Sequence, residues 1–215
     1  MKILGDIIID IKNCQVKITE KLEELKMKTI EINYYTIKEL KEINEVGYTN
    51  AHKKYMEHFE FAWVNEVTES LEKFLGLFNC QLTSWDADYK SVYYRQGDVS
   101  IYNEEEDDYD YYELNQIEGK MLNDYLLENC HEDVSNWEQC PLTGVCYDVD
   151  LLEPLHEFLT GEKYQDYTLH DLIELATYNL MKVVENEIYY LMSEKYFIEI
   201  ATDNDWYFDI NGNLE

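Results

Sequence analysis

Four potential zinc ligands fall within 17 residues, Cys130, His131, Cys140 and Cys146 in the run CHEDVSNWEQCPLTGVC. Zinc favours thiolate and imidazole in a tetrahedral array, so this set could hold a metal. The spacing is C-H-x8-C-x5-C, however, with no short C-x2-C knuckle. The deaminase pattern H-x-E…P-C-x-x-C is not met either. The competing reading is free cysteines buried around a loop, with His131 at the surface. That is the reading adopted, so no metal or other cofactor is expected.

A second constellation is the run IYNEEEDDYDYYELNQIEG, residues 101–119. Glu104, Glu105, Glu106, Asp107 and Asp108 are consecutive, Asp110 and Glu113 follow, and Tyr102, Tyr109, Tyr111 and Tyr112 are threaded among them. Such a polyanion attracts divalent cations with little specificity. The C-terminal Asp209, Asn211 and Asn213 have the D-x-N-x-N spacing of a calcium loop, but Leu214 stands where the sharp turn needs glycine. Among 46 acids, some pairs fall at glycosidase distances by chance, so a carboxylate pair is no evidence of catalysis. There is no G-x-S-x-G, H-E-x-x-H or phosphate-binding glycine loop, and His156-Glu157 has no second histidine. The chain is not expected to be an enzyme.

The charge is the strongest signal. The 215 residues carry a formal net charge of −29, far beyond what solubility asks of a small domain. Self-repulsion of that size opposes compaction, so a role for the field is expected. Hydrophobic residues make up 46% and aromatics 14%, enough to build a core, which separates the chain from disordered acidic tails. Residues 1–60 carry 10 lysines and 11 acids, a net of −1, whereas residues 61–215 carry 7 basic and 35 acidic residues, a net of −28. Halophilic adaptation would spread acids along the whole chain, so a dedicated acidic surface is the better reading.

Two prolines, eight glycines and no Ser/Gly-rich linker predict a single domain, 1–215, with a near-neutral part up to residue 60 and a strongly acidic remainder. Asp6 and Asp10 interrupt the first apolar run, no segment is apolar enough to span a bilayer, and five cysteines suit a reducing cytoplasm. MKILGDIIIDIKN and TIEINYY read as strands flanking a helical KITEKLEELKMK. The stretch 37–60 is helical with a break near Gly47, and a helix follows with Val64, Val67, Leu71, Phe74 and Leu75 on one face. In QLTSWDADY, Leu82 and Trp85 fall on opposite faces of a strand, and DADYKS reads as a hairpin turn. Ile117, Met121, Tyr125 and Leu126 stripe another helix, residues 131–147 look irregular, and a helix starting near Asp148 or Asp150 ends at Gly161. Thr168 and Asp171 open a long helix over 168–199, and Asn211-Gly212 signals a final hairpin. The fold class is α+β, several helices packed on a small, mostly antiparallel sheet, with a long C-terminal helix followed by a short hairpin.

What the acidic run could do follows from spacing. Carboxylates at i and i+2 on a strand face lie about 6.6–6.8 Å apart. Successive phosphates of one nucleic-acid strand are about 6–7 Å apart through space, and the duplex carries one charge per about 1.7 Å of axis. A folded acidic face could therefore occupy a basic nucleic-acid channel. Glu132 and Asp133 are candidates to extend it. The interleaved tyrosines offer rigid apolar area with a hydroxyl, the mix enriched at interfaces, and can lie under arginine guanidiniums.

The segments CPLTGVCYDVDLLEPLHEFL and NEIYYLMSEKYFIEIATDNDWYFDINGNLE resemble small acidic, Tyr-rich proteins of phages and other mobile elements, over roughly the C-terminal third. The negative charge is similar to that of DNA-mimic anti-restriction and anti-CRISPR inhibitors, a likeness of physical type, since those proteins share no fold. The resemblance implies an anti-defence inhibitor in the cytoplasm of an infected bacterial host. Its partner would be a basic nucleic-acid-binding protein such as a CRISPR or restriction nuclease. The implied contact residues are Tyr102, Glu104 to Glu113 within the run above, Glu132 and Asp133, with no direct nucleic-acid binding and no membrane association. The alternatives are an antitoxin or regulator that neutralises a basic protein, and a zinc-dependent enzyme.

Overall fold

A computed structural model describes residues 33–103, 106–161 and 163–215. The strand expected over 1–13, the helix expected over 17–28, the first four residues of the TIEINYY strand, Cys14, and the candidate residues Glu104 and Glu105 lie outside the described residues. The chain is α+β. Among the described residues the strands pair as three separate two-stranded antiparallel ribbons. By packing the described residues divide into two compact units, one containing residues 33–53 with Ile200–Glu215, the other within Lys54–Glu199.

In the first unit, strand β1 (Tyr35–Thr36) leads directly into α1 (Ile37–Ile43). Thr36 caps that helix: its hydroxyl accepts from Glu39 N at 3.3 Å while the Glu39 carboxylate accepts from Thr36 N at 2.9 Å. The helical stretch breaks at Asn44, whose backbone is extended (φ −149°, ψ 91°), not at Gly47. Gly47 instead lies inside α2 (Glu45–Glu57), where a Cβ would sit 2.2 Å from the Ile210 carbonyl oxygen. Its smallness serves a close backbone approach, which sequence periodicity cannot distinguish from a break. Strand β6 (Tyr207–Phe208) pairs with β1, Phe208 opposite Tyr35. The expected Asn-Gly turn follows, with Gly212 at φ +80° and a bridge between Phe208 and Leu214. Asp209, which imitates a calcium ligand in sequence, accepts from Asn211 N at 2.8 Å and Asn213 N at 2.9 Å, so its carboxylate closes the turn.

The second unit is built around a helical core. In α3 (Val64–Gly76), Val67, Leu71, Phe74 and Leu75 are fully buried, while Val64 at the first turn is 43% exposed. Strand β2 (Gln81–Asp86) turns through Ala87–Lys90 into β3 (Ser91–Arg95), the predicted hairpin. A bulge at Thr83 shifts the register between Leu82 and Ser84. It changes the parity of the strand, so Leu82 and Trp85 both pack on the core rather than on opposite faces. Strand β4 (Val99–Asn103) and β5 (Asp108–Tyr112) form the third ribbon.

Helix α4 (Gly119–Asn129) buries Leu122, Tyr125 and Leu126, whereas Met121, expected inside, points out. Ile117 is buried, but just before the helix begins. Residues 131–147, expected to be irregular, contain α5 (His131–Ser135) and a 3-10 turn at Trp137–Gln139 before α6 (Tyr147–Leu159). Gly161 follows that helix at φ +75°, in the left-handed conformation that stops it. Thr168 opens α7 (Leu169–Leu191) with the predicted box: Asp171 accepts from Thr168 N at 3.0 Å and Thr168 Oγ1 accepts from Asp171 N at 3.2 Å. The helix stops at Leu191 rather than 199, because Ser193 restarts the chain as α8 (Glu194–Asp203), its hydroxyl accepting from Tyr196 N at 3.2 Å.

Candidate functional site

The acidic run is an antiparallel hairpin. Val99 faces Tyr112, Ile101 faces Asp110, Tyr102 faces Tyr109 and Asn103 faces Asp108. Alternation along the two strands sorts the residues by face. Val99, Ile101 and Tyr112 pack against the core, which fixes the register, since a slip by one residue would expose all three. The opposite face carries Ser100, Tyr102, Tyr109 and Tyr111, and the three tyrosines are 44%, 54% and 71% exposed.

The connection bends through Glu106 and Asp107, the latter at φ +55°, a conformation that aspartate tolerates better than most residues. The Tyr102 hydroxyl donates to Asp107, and this bond is the first cause of the raised Tyr102 hydroxyl pKa. The rings of Tyr102 and Tyr109 meet edge-to-face, centroids 5.4 Å apart at 63°. On the core-facing side, Asp110 accepts from Asn103 Nδ2 at 2.9 Å and from the Tyr112 hydroxyl at 3.4 Å. Asp108 accepts from Tyr109 N at 2.8 Å. Glu113 ends the hairpin and hands the chain to a 3-10 turn, Leu114–Gln116, its N–H donating to Gln116 Oε1 at 2.9 Å.

The carboxylates are therefore distributed differently from a simple acidic strand. Glu106, Asp107 and Asp108 are exposed at the tip, Glu113 is exposed at the base, and Asp110 is half-buried. The i, i+2 pair on β5 that has phosphate-like spacing, Asp108 and Asp110, shares its face with core-packed Tyr112. The outward positions hold tyrosine. Glu132 and Asp133 sit apart on α5, which packs on α4 and α6. Asp133 is half-buried, and burial first, then Glu132 and Asp148, raises its carboxyl pKa.

Sequence reading missed two features of this unit. The first is Asp148, a fully buried carboxyl at the start of α6. Ser70 Oγ and Thr143 Oγ1 donate to one oxygen, each at 2.9 Å, and Leu142 N and Thr143 N donate to the other at 2.9 and 2.7 Å. This carboxyl holds the CPLTGVC loop onto α3, a structural use of residues that looked like a metal motif. The only sequence signal was an acid in the first turn of a helix, which is common. The second is an open groove of about 600 Å³ lined by Asp166, Tyr167, Asp171, Glu174, Leu175 and Tyr178. Asp171 already caps α7, and Glu174 accepts from the Tyr94 hydroxyl at 2.8 Å.

The zinc set does not assemble. Cys130 is buried, Cys140 half-buried and Cys146 exposed, His131 is exposed, and among the described residues no three His, Cys, Asp or Glu side chains converge as metal ligands would. Burial pushes the Cys130 thiol up to about 12. Among the described residues no helix is long and apolar enough to cross a membrane. No family model, curated protein or solved structure matches the chain.

Proposed function

We propose that this chain is an anti-defence inhibitor of the phage type. In this reading its acidic, Tyr-rich hairpin enters the nucleic-acid-binding channel of a nuclease complex, most simply a CRISPR effector. The observation that carries the reading is the hairpin itself: exposed Glu106, Asp107 and Asp108 stand beside exposed Tyr102, Tyr109 and Tyr111 on a ribbon whose other face is anchored in the core. The surrounding residues 61–215 carry a net charge of −28, which would steer the protein to a basic partner at high rate and repel nucleic acid.

The test is charge reversal. Replacing Glu105, Glu106, Asp107 and Asp108 by lysine, the last three of which are exposed at the tip, leaves Val99, Ile101 and Tyr112 in place. The variant should keep its fold, by circular dichroism, and lose inhibition of a susceptible nuclease. Inhibition equal to that of the parent would remove the hairpin from the contact surface. Capture of a basic protein that is not a nuclease would favour the antitoxin or regulator reading instead.

A further inference from the structure

Phosphate mimicry would place carboxylates at the outward positions of the hairpin, and those positions hold three tyrosines and Ser100. Tyr102, Tyr109 and Tyr111 share the face of β4–β5 turned away from the core, and Tyr102 and Tyr109 are directly opposite each other in the register. Three large aromatic rings exposed on a sheet face are unusual on a surface with no partner. Glu106 and Asp107 stand at the tip beside them, and Asp108, on the other face of β5, is exposed at the same end of the ribbon. An aromatic floor with a carboxylate rim suits a planar cation. Guanidinium stacks on aromatic faces and pairs with carboxylates through a rigid fork of N–H donors, whereas ammonium is a compact, strongly hydrated point charge.

Building on the proposed basic partner, we infer that this face grips arginine side chains: the rings of Tyr102, Tyr109 and Tyr111 stack against guanidinium groups of an arginine-bearing segment, and the tip carboxylates pair with their N–H groups. Net charge of the opposite sign brings the segment in. The tyrosines then select arginine over lysine. The hydrogen bond from the Tyr102 hydroxyl to Asp107 holds one ring and one rim carboxylate in fixed relation before the partner arrives.

The test uses the full chain and oligo-arginine and oligo-lysine peptides of equal length, with affinities measured at two salt concentrations. The parent should bind oligo-arginine about tenfold more tightly than oligo-lysine, as stacking by several rings would give. Changing Tyr102, Tyr109 and Tyr111 together to alanine should erase that preference and leave a weaker, salt-sensitive affinity equal for both peptides. Tyr111→Ala alone should reduce the preference without touching the Tyr102–Asp107 bond, which covers the event that the triple variant fails to fold. The Glu106→Gln, Asp107→Asn, Asp108→Asn variant should weaken both peptides alike. Equal binding of the two peptides by the parent, or a preference that survives in Tyr111→Ala and the triple variant, would overturn the arginine grip while leaving a basic partner in place. Binding of neither peptide would remove the basic-partner reading and the grip with it. Concentration-dependent dimerisation of the parent, lost in the tyrosine variants, would assign the face to a second copy of the chain and overturn the inference.

Discussion

Ser70 and Asp148 meet in the interior of the larger unit, the serine hydroxyl donating to the carboxyl at 2.9 Å, with both residues fully buried. Thr143 and the backbone of Leu142 and Thr143 complete the set of donors. Asp148→Ala would leave the Leu142 and Thr143 N–H groups and one of the two hydroxyls without an acceptor, the other hydroxyl keeping the 3.1 Å contact between Ser70 Oγ and Thr143 Oγ1. The expected loss is about 3–5 kcal/mol, because an unsatisfied buried polar group costs its full desolvation. Asp148→Asn keeps one acceptor oxygen and should lose about 1–2 kcal/mol. Urea unfolding midpoints at constant slope measure both.

A pH dependence follows from Asp150 on α6. Its carboxyl is raised to about 6 by burial first, then by Glu153 on the same helix and Glu187 on α7. Tyr147, whose hydroxyl donates to Glu187 at 2.6 Å, and Glu66 on α3 face the same region. A raised pKa means that the folded state binds this proton more tightly than the unfolded state does. The stabilisation is complete below about pH 4 and is lost as pH rises through about 6. Asp150→Asn should therefore be more stable than the parent at pH 7, by about 1–2 kcal/mol, and equal to it near pH 4. Comparing the two proteins across pH separates this site from the general relief of charge repulsion on acidification. Parallel stability curves would show that the carboxyl is not in the environment described.

The cysteines should label in order of exposure and thiol pKa. Cys146 is exposed and should react with a thiol reagent in the native protein. Cys80 and Cys130 are buried, and burial raises both thiols, so they should react only after unfolding. Peptide mapping of native and denatured samples checks the order.

Gly47→Ala should destabilise the smaller unit although alanine is the better helix former. An added Cβ would stand 2.2 Å from the Ile210 oxygen, a clash with backbone rather than with a movable side chain. Helix propensity alone would stabilise by about 1 kcal/mol, so a measured loss identifies the close approach as the winning effect. Thermal unfolding of Gly47→Ala beside Gly76→Ala makes the comparison, because nothing lies within 4 Å of a Cβ at Gly76.

Sequence by itself determined the α+β class, the buried stripe of α3 from Val67 to Leu75, the Thr168–Asp171 box, the DADYKS and Asn-Gly turns, and the concentration of negative charge after residue 60. These are local or additive properties: periodicity, capping and charge are carried by residues near one another in the chain. Tertiary structure alone decided the rest. The Thr83 bulge brought Leu82 and Trp85 to one side, Ile210 explained Gly47, and Ser70 and Thr143 turned Asp148 into an internal anchor, each through residues distant in sequence or a register set by a partner strand. The division of the hairpin had the same origin. Tyrosine and acid alternate in DYDYY, so the pattern names two faces without saying which is buried. That choice was made by the packing of Val99, Ile101 and Tyr112 on the core, which sent tyrosine, not carboxylate, to the outside.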